Sequence, residues 1–210
     1  MSLEELPVVS CCWQRLGPLS AEPGAANWLE LPAVMLADAV TGASPKQKTL
    51  VRTAWDEREW RVLFQVMDTH VWATYTERDA PLYEEEVVEI FLDPVGDFAS
   101  YFEIEINPLN TILDLVLRRN RSGYAKDFSW DCDDLRSIAR RNAAGWCAEL
   151  SIPWASLIAE PPRAGSRWRG NFCRIDRPPE TPRELTAWSP PGRANFHTPE
   201  RFGWIEFSRH

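Results

Sequence analysis

The sequence predicts an all-β protein, an antiparallel β-sandwich of jelly-roll type with one or two short helical turns. Two observations carry that expectation. About ten short segments alternate side chains with a period of two, and clusters of Pro, Gly, Asp and Asn punctuate them. No stretch sustains the 3.6-residue period that crossover helices between parallel strands would need.

The elements follow in order. Residues 1–26, rich in Pro, Ala and Gly, read as an extension packed on a single domain of residues 27–210, with Val8 to Trp13 as an edge strand. Thr49 to Trp55 and Glu59 to Met67 read as a hairpin around Asp56-Glu57-Arg58. Val71 to Thr76 is a short β-prone run, and a polar loop follows. The central pair is PLYEEEVVEIFLDPVGDFASYFEIEINP, residues 81–108, two strands joined by Asp93-Pro94-Val95-Gly96-Asp97. Thr111 to Leu117 is a strand, Ser122 to Asp134 a loop, and Leu135 to Arg141 a further strand. Gly145 to Ile152 turns Trp146, Ala148, Leu150 and Ile152 inward, and Pro153 opens one helical turn. Trp168 to Asp176, Leu185 to Ser189 and Phe202 to Phe207 are the last strands, the middle one flanked by the Pro-rich loops 178–182 and 190–199.

Composition narrows the function classes. A net charge of −8 with no basic stripe argues against nucleic acid, and no window is apolar enough to span a membrane. The N-terminus lacks a positive segment followed by an apolar one, so a cytoplasmic protein without a signal peptide is expected. Five Cys without a metal-like spacing fit reduced, mostly buried thiols. Eleven Trp is an unusual number; many belong in a core, but such a surplus makes ring-stacking surfaces plausible.

Alternation in the central pair places Tyr101, Glu103, Glu105 and Asn107 on one strand face, with Glu89 contributed by the neighbour. A row of carboxylates and an amide, with Tyr83 upstream, suits a polyhydroxylated ligand. The alternative use of those acids is an ion-pair network with Arg52 and Arg174. Asp93 and Asp97 in the turn, and Asp131, Asp133 and Asp134, offer oxygens to calcium, though no EF-hand loop is present and solvated loop acids are the plainer reading. His197 in the Pro-rich loop is a candidate ligand contact or a structural residue. Met67 and His70 are too close on one strand end to flank a haem.

Six strings occur together and in order: VRTAWDEREWRVLFQV, YEEEVVEIFLDP, YFEIEINP, GWCAELSIPW, WRGNFCRID and AWSPPGRANFHTPERFGWIEF. In this the chain resembles carbohydrate-binding module family 9 and its stand-alone bacterial relatives. The resemblance implies a β-sandwich that binds the end of a glycan between two aromatic rings, here Tyr83 and Phe196. It implies Glu89 as the hydrogen-bonding carboxylate, Glu105 and Asn107 at the family's polar pair, and structural calcium in some relatives. The chain departs from the family pattern at three places, with Tyr and Phe where Trp is usual and Glu105 where Arg is usual. The expected function is non-catalytic saccharide binding. The alternatives are an interaction domain that kept the sandwich without the sugar site, and an accessory protein to glycoside hydrolases in carbohydrate catabolism. A glycosidase would need two carboxylates facing each other across a cleft.

Overall fold

Fourteen strands pair into one curled, mixed sheet in the computed structural model, which describes residues 5–24, 28–178 and 182–209. The expected boundary between residues 26 and 27 and the centre of the loop 178–182 lie outside the described residues. In chain order the strands are β1 (Val8–Trp13), β2 (Ala33–Met35), β3 (Ala37–Asp38), β4 (Thr49–Trp55), β5 (Glu59–Met67), β6 (Val87–Asp93) and β7 (Ser100–Ile106). They continue with β8 (Ile112–Asn120), β9 (Gly123–Asp127), β10 (Arg136–Asn142), β11 (Gly145–Pro153), β12 (Arg167–Asp176), β13 (Glu184–Ala187) and β14 (Gly203–Ser208). One helical turn, α1 (Trp154–Leu157), follows Pro153 as the sequence predicts.

The main path of the sheet runs β10-β11-β5-β4-β1-β14-β12-β6-β7-β8-β9. Its two ends fold toward each other. Trp60, Val62, Phe64, Trp146, Ala148, Leu150 and Ile152 of one half share a core with Val88, Ile90, Leu92, Ile104, Ile106 and Phe172 of the other. Trp60 and Trp146 are fully buried, as alternation predicts. Each removes about 200 Å² from water, on the order of 5 kcal/mol of transfer free energy.

The sheet is not purely antiparallel. β1 pairs in parallel with both β14 and β4, at Val9 with Ile205 and at Cys12 with Ala54. It is therefore an interior strand and not the expected edge. Hairpins impose antiparallel pairing only on neighbours in sequence, and β1 meets partners far along the chain, where no turn dictates direction. Two further expectations change. Residues 123–127 form β9 on the outer side of β8, within the stretch predicted as loop. Val71 to Thr76 forms no strand, because the buried Glu85 carboxylate accepts the N–H groups of Thr74 and Tyr75 in place of a ladder.

All five cysteines are free, and four are buried. Burial pushes the Cys132 thiol up to about 12, which keeps it protonated and inert. Among the described residues no helix is long and apolar enough to cross a membrane.

Arg174 lies on the inner face of β12, not beside Glu89, Glu103 and Glu105. It donates to Asp68 at 2.7 Å and Glu86 at 3.1 Å, and lies 3.6 Å from Asp176. Arg52 donates to Gln65. The expected network of these two arginines with the outer-face glutamates is therefore absent, because alternation turns residue 174 away from its neighbour Cys173, which does share their face.

Around Arg174, burial pushes Glu86 up to about 8, a shift added to by its hydrogen bond with Asp68. Its folded value thus exceeds the ordinary 4.5, so the unfolded chain releases this proton first as pH rises. The stabilisation is complete below about pH 4.5 and is lost as pH climbs through about 8. Melting curves of the wild type and Glu86→Gln between pH 5 and 9 should therefore diverge in slope, with the wild type falling faster. Parallel curves would show that Glu86 titrates normally.

Candidate functional site

The outer face of β6, β7 and β12 is set by register. Cys173 lies opposite Glu89, and Glu89 opposite Glu105; one step along, Asn171 lies opposite Phe91, and Phe91 opposite Glu103. Residues directly paired across strands point the same way, so the three glutamates gather on one patch. A second apolar cluster of Leu82, Val87, Phe91, Leu113, Leu115, Ile175, Phe196 and Phe202 surrounds them. The helical turn Leu82–Glu84 carries Tyr83 over one side, and the Pro-rich loop brings residues 194–197 over the other.

Between these walls lies a cavity of about 170 Å³ lined by Tyr83, Glu89, Glu103, Lys126, Ile175, Arg183, Leu185 and Ala194 through His197. Four of the six residues that the sequence singles out for a ligand thus meet here: Tyr83, Glu89, Phe196 and His197. Tyr83 is 38% exposed, and the Lys126 ammonium sits 5.5 Å from its ring centroid. Phe196 is only 6% exposed and packs on Phe91 at 6.3 Å, so its ring belongs to the outer core as well as to the cavity wall. His197 shares a 3.0 Å hydrogen bond with the Tyr101 hydroxyl. Burial, with repulsion from Lys126, pushes His197 down to about 4. It is neutral at pH 7, and its 4.0 Å approach to Glu103 is not an ion pair.

Glu105 and Asn107 do not line the cavity. Glu105 is fully buried beneath it, beside Glu89 and Glu103. Asn107 is spent on backbone groups: its amide donates to the Tyr75 carbonyl at 2.8 Å, and its oxygen accepts from Leu109 and Thr111 in its own turn at 3.0 Å. Asp93 and Asp97 likewise close their turn. Asp93 accepts from the backbone of Gly96 and Phe98, and Asp97 from that of Ala99. Gly96 stands at φ +75°, where a side chain would be strained.

Lys126 and Arg183 are cavity residues that the sequence reading does not anticipate. Lys126 sits on β9, which was expected to be loop, and Arg183 belongs to a Pro-rich connection without periodicity. A larger cavity, about 900 Å³, opens elsewhere against Leu16, Arg58, Glu59, Arg61 and Arg136. Among the residues that line it, Glu59 pairs with both Arg61 and Arg136, and there is no aromatic ring among them.

The glutamates sit in an unusual electrostatic setting. Burial raises the affinity of Glu89 and Glu105 for protons well above the ordinary carboxylate range, with mutual repulsion adding to it, and burial raises that of Glu103. The nearest cation is Lys126, at 4.0 Å from Glu103.

A curled, mixed β-sheet with a cavity on its outer face defines the class: an all-β domain. The chain belongs to the carbohydrate family 9 binding domain-like family, whose match spans residues 21–209. Solved structures agree on the fold. A carbohydrate-binding module family 9 from Caldicellulosiruptor kristjanssonii in complex with cellotriose aligns at TM-score 0.74 and 16% identity, over 97% of this chain and 95% of that one. The same organism's module with glucose aligns at TM-score 0.72 and 16% identity, over 97% of each chain. A protein from Bacteroides uniformis aligns at TM-score 0.74 and 19% identity, over 97% of this chain and all of its own. No curated protein matches the chain.

Proposed function

We propose that this chain is a non-catalytic saccharide-binding protein that holds a sugar, or the end of a glycan, in the cavity between Tyr83 and Phe196. The observation that carries the reading is the convergence of Tyr83, Glu89, Phe196 and His197 on one cavity with Lys126, Arg183 and Asn195. Ring faces take the C–H surface of a pyranose through dispersion and burial. Glu89, Glu103, Asn195 and the two cations supply directional partners for hydroxyls. Glu105 and Asn107 support this site from below and beside it, without touching the ligand. Family membership supports the reading, as do the cellotriose and glucose in the related modules. We read the curled sheet as a β-sandwich of jelly-roll type, in keeping with that family.

Hydrolysis is not part of the proposal. Glycosidases flank the scissile bond with two carboxyl groups, whereas Glu89 and Glu103 reach the cavity from one wall, on adjacent strands.

The test is calorimetric titration with glucose, xylose, cellobiose and cellotriose, using the wild type and Tyr83→Ala. Because Tyr83 is partly exposed, its truncation should leave the melting midpoint nearly unchanged while weakening binding by about tenfold or more, as expected for loss of a ring contact. Phe196→Ala is a poor test, since it also opens the outer core. Equal binding by wild type and Tyr83→Ala would remove the clamp. No binding by folded wild type would favour an interaction domain.

A further inference from the structure

Three groups of acids among the described residues bring carboxylate oxygens within 4.8 Å of one another: Asp68 with Glu86 and Asp176, Asp79 with Asp114 and Asp131, and Glu89 with Glu103 and Glu105. The first group holds the Arg174 guanidinium. The second holds that of Arg78, which lies 2.5 Å from Asp114 and 2.9 Å from Asp131. The third has no guanidinium within ion-pair distance; its nearest partner is Lys126, 4.0 Å from Glu103.

The orphaned oxygens point the same way. Glu105 is 0% exposed and neither of its carboxylate oxygens has a hydrogen-bond partner. One oxygen each of Glu89 and Glu103, both 2% exposed, is in the same condition. Leaving a buried acceptor unpaired is costly, and more so when it is charged. Three such groups, ionised and converging on one point, repel one another unless something positive stands between them; a proton shared between Glu103 and Glu105 is the other way to relieve them.

We propose that Glu89, Glu103 and Glu105 bind one divalent, oxygen-preferring cation of calcium's size at the floor of the outer-face cavity. The dimensions fit. Oxygens within 4.8 Å of one another can share one ion; calcium accepts them at about 2.3–2.6 Å in irregular geometry, while magnesium demands a near-ideal octahedron at about 2.0–2.1 Å. Three carboxylates offer up to six oxygens, the lower end of calcium's requirement. Cys173, which pairs with Glu89, is held as a buried thiol and adds no soft ligand. Glu89 and Glu103 also line the cavity, which gives the ion a route in. The site stands whether or not a saccharide occupies the cavity above.

The test needs no sugar. Chelator-treated protein is titrated calorimetrically with calcium, magnesium and manganese chlorides, and melted with and without each. We expect calcium to bind, magnesium to bind about tenfold or more weakly, and calcium at a hundredfold excess over Kd to raise the midpoint by roughly 5–10 °C. In Glu105→Gln and in Glu103→Gln the calcium stoichiometry should fall by one, and the chelated Gln variants should melt no lower than chelated wild type, since repulsion has been relieved. Asp131→Asn, which alters the second acidic group, should leave the stoichiometry unchanged. Wild type that neither binds nor responds to calcium overturns the site, and so does a stoichiometry untouched by both Gln variants or reduced by Asp131→Asn. The first of these outcomes means that shared protons satisfy the triad.

Discussion

Gly145→Ala is expected to cost at least about 4 kcal/mol, the range reserved for changes with a specific mechanism. Gly145 begins β11 at φ +145°, and a Cβ there would stand 2.2 Å from the Val66 carbonyl oxygen and 2.7 Å from the Asp68 amide. Both atoms are backbone, held by the β5–β11 ladder in which Gly145 pairs with Met67. Nothing flexible can yield, so β11 must peel from β5. That strand carries Trp146, Ala148, Leu150 and Ile152 into the main core. The melting midpoint should drop by roughly 10–15 °C for a chain of this length. Gly42→Ala is the control. Gly42 also has a positive φ, +72°, but nothing lies within 4 Å of a Cβ built there, so only the backbone cost of about 1–2 kcal/mol applies. Matching midpoints for the two variants would refute the steric account.

Arg174→Ala should lose about 3–5 kcal/mol, because removing one member of a buried charge group strands the others. Arg174 is 1% exposed and is the shared donor to Asp68 and Glu86, with Asp176 close by. Arg52→Ala, on a part-exposed residue whose contact is Gln65, should change stability by less than about 1 kcal/mol. Urea unfolding of the two variants decides the matter, and equal losses would mean that Arg174 does not hold the acids together. The same position illustrates what alternation can settle. Period two correctly separates the inner residues of β11 and β6 from the outer ones. It could not show that residue 174 faces Asp68 and Glu86, because those partners come from strands and loops elsewhere in the chain.

The candidate site was legible to a similar depth. The hairpin of β6 and β7 follows from its pattern and its Asp93–Asp97 turn, and the register then brings Glu89, Glu103 and Glu105 together. Tyr83, Phe196 and His197 line the same cavity as Glu89 and Glu103. Burial within the face was not legible. Both sides of β6 are covered, so Glu105 sinks beneath the cavity floor and Phe196 becomes half core. Asn107 has the residue type of a ligand contact, but its amide is taken by the carbonyl of Tyr75, a residue distant in sequence. Lys126 and β9 were missed because Gly123–Asp127 is short and mostly exposed, leaving no apolar alternation to read.

The pairing of β1 with β14 has a mechanical consequence. The two strands run parallel, with Val8 beside Trp204 and Cys12 beside Ser208. The N-terminal end of one strand and the C-terminal end of the other therefore lie at opposite ends of the seam. A pull on the two chain ends loads this ladder lengthwise, so its hydrogen bonds share the force instead of opening one after another. The joint between the halves of the sheet is a shear joint, set where tension on the chain would first arrive.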